Sequence, residues 1–309
     1  MRRAADILRA GGLVAFPTET VYGLGADARD SQSLHRIFSA KQRPLKNPLI
    51  LHVANIQAAE RLVKFNDFTR QAAAAFWPGP LTLLLPLRLD SGISHMVAAG
   101  QDRVGIRIPD HDIALRLLNS FGHPIAAPSA NRSNHISPTQ ADHVVHDLDG
   151  RIDAVIEGGN CRCGLESTIL MPSEEGIMVL RQGVISESEI AQKLGISPTI
   201  MPAAAELQTP GQHCVHYAPN APLRTDARKV SSDEVWIGFG PDQPNATLNL
   251  SLTGDLDEAA ARLYATLRQA DQLVRSSDHI AIACAPIPTW GIGKAINDRL
   301  IRAAGRRRS

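Results

Sequence analysis

Apolar residues follow two alternating rhythms along the first two thirds of the chain. Short apolar runs at 13–16 (LVAF), 48–53 (PLILHV), 81–87 (LTLLLPL) and 104–110 (VGIRIPD) predict strands. The last run sets Val104, Ile106 and Ile108 on one side and Gly105 and Arg107 on the other. Between the strands, a spacing of three and four predicts helices. One covers 33–41, where Leu34, Ile37, Phe38 and Lys41 share a face behind Asp30 or Ser31 as N-cap. Others cover 68–77, halted by Pro78-Gly79, and 112–121, with Gly122 past the end. The stretch PIAAPSAN (124–131) reads as a short strand entering a loop. Residues 137–148 read as a helix with Ser137 as N-cap and Pro138 at the first helical position. Three strands (153–159, 167–172, 177–183) and a helix (186–195) close this region, and MRRAADILRAGG predicts a short helix before it.

From 196 to 222 the rhythm stops. This stretch is rich in proline and carries TPGQHCVHYAP (209–219), so it reads as a linker. A second pattern follows: strand 234–240, helix 256–274, strand 279–286, helix 291–305. Two strand–helix units imply parallel pairing and a small Rossmann-like domain. The expected organisation is an α/β domain over 1–195, a linker over 196–222 and a smaller α/β domain over 223–309, ending in a basic tail, GRRRS. No internal repeat is visible.

Composition narrows the function classes. The 309 residues carry 32 basic and 31 acidic side chains, a net charge of +1, so any nucleotide or nucleic-acid binding must come from a local patch. Aromatic residues make up only 4%, which leaves no obvious stacking platform for RNA. No apolar run approaches the roughly 18 residues of a membrane span. The N-terminal segment lacks the continuous apolar stretch of a signal peptide. With four cysteines in a chain this long, a disulfide scaffold is not indicated and a reducing cytoplasm is the expected compartment.

Several site chemistries fail on spacing. There is no Walker loop. GLGADA (23–28) fits the loose dinucleotide fingerprint, but no acid stands about 20 residues on to hold a ribose. Cys161 and Cys163 are too tightly spaced for a zinc knuckle, and no second cysteine pair exists, although His213, Cys214 and His216 could join them in space. No metal site is expected on the protein. No G-x-S-x-G elbow appears.

What remains is a set of groups suited to an anion. KQRPLKNPLILHV (41–53) holds Lys41, Arg43 and Lys46 inside a stretch, 31–59, without a single acid. Arg107 projects from a strand opposite the aliphatics, Ser129 and Asn131 lie at a strand end, Ser137 begins a predicted helix and Arg181 ends a strand. Each has a structural alternative: Lys41 suits a helix C-terminus, Ser137 a plain cap, and Arg107 an acid across the sheet. Taken together, at the strand ends and loops of one sheet, they point to a binding cavity.

Here the sequence resembles a known family. PTETVYGLG (17–25), KQR (41–43) with NPLILHV, WPGPLTLLL (77–85), VGIRIPDH (104–111), APSANRS (127–133) with SPT (137–139), and GLESTI (164–169) with LRQG (180–183) resemble the YrdC-like family. The paired K-x-R and S-x-N elements are its hallmark. TPGQHCVHYAP followed by a small α/β domain is similar to its two-domain form, the threonylcarbamoyladenylate synthases. The resemblance implies a YrdC-like twisted open sheet with flanking helices around a basic cavity. It implies that threonine, bicarbonate and ATP, with Mg2+ on the triphosphate, give threonylcarbamoyl-AMP and pyrophosphate. A tRNA threonylcarbamoyl-transferase complex would then take the product to the adenosine beside the anticodon, with weak direct tRNA contact left open. Carried over by motif position, Thr20, His52, Arg107, Ala127 and Ser167 would contact threonine. Arg43, Asn47, Arg103, Ser129, Ser137, Arg181 and Tyr217 would contact ATP, with Lys41 and Asn131 completing the hallmark. Lys41 and Arg43 would carry the catalytic charge. Position 103 is arginine where the family pattern has a small hydroxyl residue. QHCV (212–215) stands where many relatives have MKYR and so lacks fixed positive charge. Two other readings fit part of the pattern: an RNA-binding module, and carbamoyl- or acyl-adenylate chemistry on another substrate. The hydrogenase-maturation relatives of the latter kind carry zinc-finger and acylphosphatase-like regions not found here.

Overall fold

The computed structural model describes residues 1–200 and 216–305. The linker residues Gln212, His213, Cys214 and Val215 and the arginines of the tail lie outside the described residues.

The strands of the first region are β1 (Val14–Phe16), β2 (Gly23–Asp27), β3 (Ile50–His52), β4 (Leu81–Pro86), β5 (Arg103–Arg107), β6 (Ile125–Ala126), β7 (Ala154–Val155), β8 (Thr168–Pro172), β9 (Ile177–Arg181) and β10 (Thr199–Ile200). Among the described residues these ten form one sheet, in the order β10-β9-β8-β4-β5-β3-β6-β2-β1-β7. Pairing is mixed: β3 runs parallel to β5 and β4 to β8, whereas β4 and β5, β3 and β6, and β1 and β2 are antiparallel. Helices cover both faces. On one, α1 (Arg2–Arg9) and α5 (Asp112–Phe121) pack Leu8, Leu117 and Phe121 against Phe16 and Ile125. On the other, α2 (Ser31–Lys41), α3 (Ile56–Leu62), α4 (Asp67–Phe76), α6 (Ala141–Leu148) and α7 (Glu187–Leu194) bury Leu34, Ile37, Leu62, Phe76, Val144 and Ile190. Removing each large apolar side chain from water favours this arrangement by about 1.5–3 kcal/mol.

Local chemistry sets the ends of α2. Asp30 accepts bonds from the N–H groups of Gln32 and Ser33 at 3.0 and 3.1 Å, and Gln42 closes the helix at φ 53°. The helical stripe therefore ends on Lys41, turned inward and 1% exposed.

The GLGADA stretch is β2, not a phosphate loop. A Cβ on Gly25 would lie 2.7 Å from Ile125 and 2.9 Å from Phe16, so the glycine serves strand packing. The helix expected to open at Ser137 begins at Ala141, behind Gln140, which caps with no side-chain bond. Residues 137–139 instead lie outside any helix: Tyr22 N–H donates to Pro138 O at 2.9 Å and Cys161 N–H to Thr139 O at 2.9 Å. Ser137 is thus not a helix cap, and no helix N-terminus faces the cavity from this segment.

The second region holds β11 (Leu223–Arg224), β12 (Glu234–Gly238), β13 (Leu248–Asn249) and β14 (Ala281–Cys284) in a parallel sheet ordered β11-β14-β12-β13. Helices α8 (Leu256–Ser276) and α9 (Gly293–Ala304) pack on it. The core of this region also takes in Val21, Ile136 and Leu165 from the first, together with Tyr217 from the linker. The two regions therefore share buried surface beside the strand ends where the candidate residues gather.

Candidate active site

Those strand ends surround a cavity of about 600 Å³ of empty space, open solvent at its mouth included. Thr20, Arg43, His52, Arg107, Ala127, Ser129, Ser167, Arg181 and Tyr217 all line it, as do Thr18, Glu166 and His216. Residues from seven separate stretches of sequence (18–23, 43–52, 107, 127–129, 166–167, 181 and 216–217) thus meet at one place.

Arg107, the last residue of β5, is tied down by its neighbours. It donates to Glu19 Oε1 at 2.6 Å and to Thr20 Oγ1 at 3.0 Å, both buried. Arg107 thus does have an acidic partner, but Glu19 lies in the segment between β1 and β2 and not on a strand across the sheet. Glu19 Oε2 and Arg107 Nε are buried with no partner, so the pair has bonding capacity left. His52 packs edge-on against Phe16, and burial, with Arg107 adding to it, pushes its pKa down to about 3. It is a neutral group at physiological pH.

Arg43 is 8% exposed, donating to the carbonyls of Asn47 at 3.3 Å and Pro48 at 2.9 Å. No carboxylate pairs with it among the described residues. Burial brings its pKa down to about 10, so the cation is held at a cost that a bound anion would relieve. Arg181 donates to Ser167 O at 3.1 and 2.9 Å and to Ser167 Oγ at 3.0 Å, and Ser167 in turn bonds Thr82 at 2.7 Å.

Four candidates stand behind the wall and do not line it. Lys41 donates to the carbonyls of Ser129, at 2.5 Å, and Asn131. Burial, then Arg43, pushes its pKa down. The K-x-R lysine thus fastens the turn that carries Ser129. Asn131 holds the same turn by donating to Arg132 O and His135 O at 2.8 and 2.7 Å. Asn47 supports Arg43 through its carbonyl. Ser137 donates to Glu166 Oε1 at 2.7 Å. Arg103 is not brought to the cavity at all. It opens β5 opposite Pro86, four residues from Arg107, and that length of strand spans roughly 13 Å.

Tyr217 closes the cavity from the linker side. Its φ of 62° is unusual for a bulky residue, and its ring is stacked on Tyr264 with centroids 5.6 Å apart. His216 lies against it at 4.0 Å, its Nδ1 buried without a partner and its pKa pushed down to about 3 by burial.

A family profile described as "Telomere recombination" matches residues 6–183, and one described as "Threonylcarbamoyl-AMP synthase, C-terminal domain" matches 185–305. The threonylcarbamoyl-AMP synthase of Bacillus subtilis is 38% identical, aligned over 99% of this chain and 93% of its own. That of Pyrococcus abyssi is 37% identical, over 99% and 94%. This chain belongs to the threonylcarbamoyl-AMP synthase family. The crystal structure of P. abyssi Sua5 complexed with L-threonine matches with a TM-score of 0.88 at 37% identity, covering 98% of this chain and 94% of that one. The fold expected of the family, a large twisted sheet with a second parallel α/β region, is the fold observed.

As a threonylcarbamoyl-AMP synthase family member the protein is an enzyme, and its site contains groups that motif reading passed over. Glu166 stands inside GLESTI but draws no notice there as an acid. It is the one acidic side chain lining the cavity among the described residues. It accepts from Ser137, from Tyr264 OH at 3.0 and 2.9 Å and from Arg299 Nε at 2.8 Å. Burial alone would raise its pKa, but Arg299 and Arg181 outweigh it and hold the carboxyl at about 2. Burial pushes the Cys161 and Cys163 thiols up to about 12 and about 11. Among the described residues, no three His, Cys, Asp or Glu side chains gather as a metal site.

Proposed function

We propose that the protein catalyses formation of threonylcarbamoyl-AMP and pyrophosphate from L-threonine, bicarbonate and ATP. The observation that carries this reading is the convergence of Arg43, Arg107 and Arg181 with Thr20, His52 and Ser167 on one buried cavity. Threonine amine and bicarbonate condense to a carbamate with loss of water. A carbamate oxygen then attacks the α-phosphorus, and pyrophosphate leaves. Such chemistry needs positioning and charge neutralisation more than a protein nucleophile. Arg107 with Thr20 suits an amino-acid carboxylate. Neutral His52 and the small Ala127 shape the pocket around the side chain. Arg43 and Arg181, with Ser129 and Tyr217, suit the nucleotide. Lys41, Asn47, Asn131 and Ser137 act one layer back by holding these groups in place.

Magnesium enters as part of MgATP, bound by phosphate oxygens and water. The donor set fits this: Glu166 is engaged with Arg299 and Tyr264, Glu19 is ion-paired with Arg107 through Oε1, and no cluster of three metal-ligating side chains surrounds either among the described residues. The product then serves a tRNA threonylcarbamoyl-transferase complex in the cytoplasm. Among the described residues no helix is long and apolar enough to cross a membrane.

The test supplies ATP, magnesium, labelled bicarbonate and L-threonine and follows labelled adenylate and pyrophosphate. Both are expected, both dependent on threonine, and both lost in Arg43→Ala with the melting temperature retained. A folded enzyme that binds ATP but gives no threonine-dependent adduct would refute the substrate assignment.

A further inference from the structure

We propose that Arg299, on the last helix of the second region, is a positioning residue of the adenylate-forming site, keeping the Glu166 carboxylate neutralised and turned away from the triphosphate. The proposal rests on the nucleotide reading given above.

A carboxylate in the wall of a site for a polyanion is a liability, because like charges at close range in a poorly hydrated cavity repel strongly. Glu166 stands just before β8, next to Ser167, and lines the cavity with it. A Cβ on Gly183 would come within 2.5 Å of Glu166 O, which shows how closely that backbone is gripped. The cation bonded directly to the Glu166 carboxylate comes from the second region. Arg299 is 0% exposed and commits all three nitrogens: Nε to Glu166 Oε2 at 2.8 Å, Nη1 to Asp298 at 2.7 Å and Nη2 to Gln182 O at 3.0 Å. Its guanidinium also lies over the Tyr217 ring, 5.2 Å from the centroid. Tyr264, from α8, donates to the same carboxylate, as does Ser137 from the first region. Without Arg299 the cation left near Glu166 is Arg181, one of the groups suited to the phosphates. The carboxylate would then compete with the nucleotide for it.

The test uses the full chain and two ligands read separately by calorimetry, α,β-methylene-ATP with magnesium and L-threonine. Arg299→Met is expected to weaken the nucleotide analogue by about tenfold or more, with threonine affinity changed less than about twofold, as fits one uncompensated charge near the phosphates. Arg299→Met with Glu166→Gln removes both charges and is expected to recover the analogue's affinity to within about threefold of wild type. Glu166→Gln alone leaves the Arg299 cation beside the cavity and should tighten the analogue by about threefold, a readout that stands even if Arg299→Met does not fold. An analogue affinity unchanged in Arg299→Met, or a double variant that melts normally yet stays as weak as the single one, overturns the proposal. So does weaker binding in Glu166→Gln. A wild type that binds no analogue refutes the nucleotide reading itself, whereas binding without this variant pattern refutes the role of Arg299 alone.

Discussion

His52 and His216 are both buried at the cavity, and both titrate near 3 instead of near 6.5 because burial disfavours their charged forms. In each case the folded-state pKa lies below the unfolded one. The unfolded chain therefore binds more protons between these values, and stability present above about pH 6.5 is lost as pH falls toward 3. Glu166 adds to the same trend lower down: its pKa is held at about 2, so its contribution is present above the ordinary carboxylate range and fades below it. Between pH 7 and pH 5 each buried histidine should cost about 2 kcal/mol of stability. Urea denaturation at the two pH values checks this. In His216→Gln the pH-dependent loss should shrink by about 2 kcal/mol relative to wild type. An unchanged loss would mean that His216 takes up its proton in the folded protein.

Among the elements, Gly164 is the position where backbone freedom matters most. It sits at φ 71° in the loop before β8, and a Cβ there would lie 2.4 Å from Ala260 O and 2.5 Å from Ala261 Cα, both on α8. Gly164→Ala therefore strains the backbone and pushes α8 off the strand end that carries Glu166. The two costs together should lower unfolding stability by about 2–4 kcal/mol. Chemical denaturation measures that, and faster proteolysis between the two regions should accompany it. Stability within a few tenths of a kcal/mol of wild type would show that α8 yields at no cost. Elements whose signal was purely local were legible in the sequence: α2 with its Asp30 cap, α5 with Gly122, α9, and the strands β4 and β5. The start of α6 was misread because Ser137-Pro138 looks like a cap, whereas the Ser137 hydroxyl is drawn to Glu166, a partner 29 residues on. GLGADA hid β2 because its glycines answer to Phe16 and Ile125, which local spacing does not reveal.

At the scale of the molecule, the cavity is completed by both regions. The first supplies the arginines suited to the substrates. The second supplies Arg299 and Tyr264 to Glu166, and its core encloses Val21, Ile136 and Leu165. The sequence did contain a trace of this. Ala295, Ile296, Arg299, Leu300 and Ala303 form one helical stripe on α9, all buried, and a lone arginine on an apolar stripe needs a buried partner. Lys41 carries the same signature on α2. Neither stripe says where the partner is, since Glu166 lies 133 residues from Arg299. A fragment of residues 1–200 makes the dependence measurable. Cutting there exposes Val21, Ile136 and Leu165 and leaves Glu166 beside Arg181 without its main counter-charge. The fragment is expected to bind α,β-methylene-ATP at least about tenfold more weakly than the full chain, and Glu166→Gln within the fragment should return part of that loss. If the second region contributed only apolar cover, the glutamine would change solubility and melting but leave the affinity where the cut had put it. A fragment that binds the analogue as tightly as the full chain would remove the second region from the site altogether.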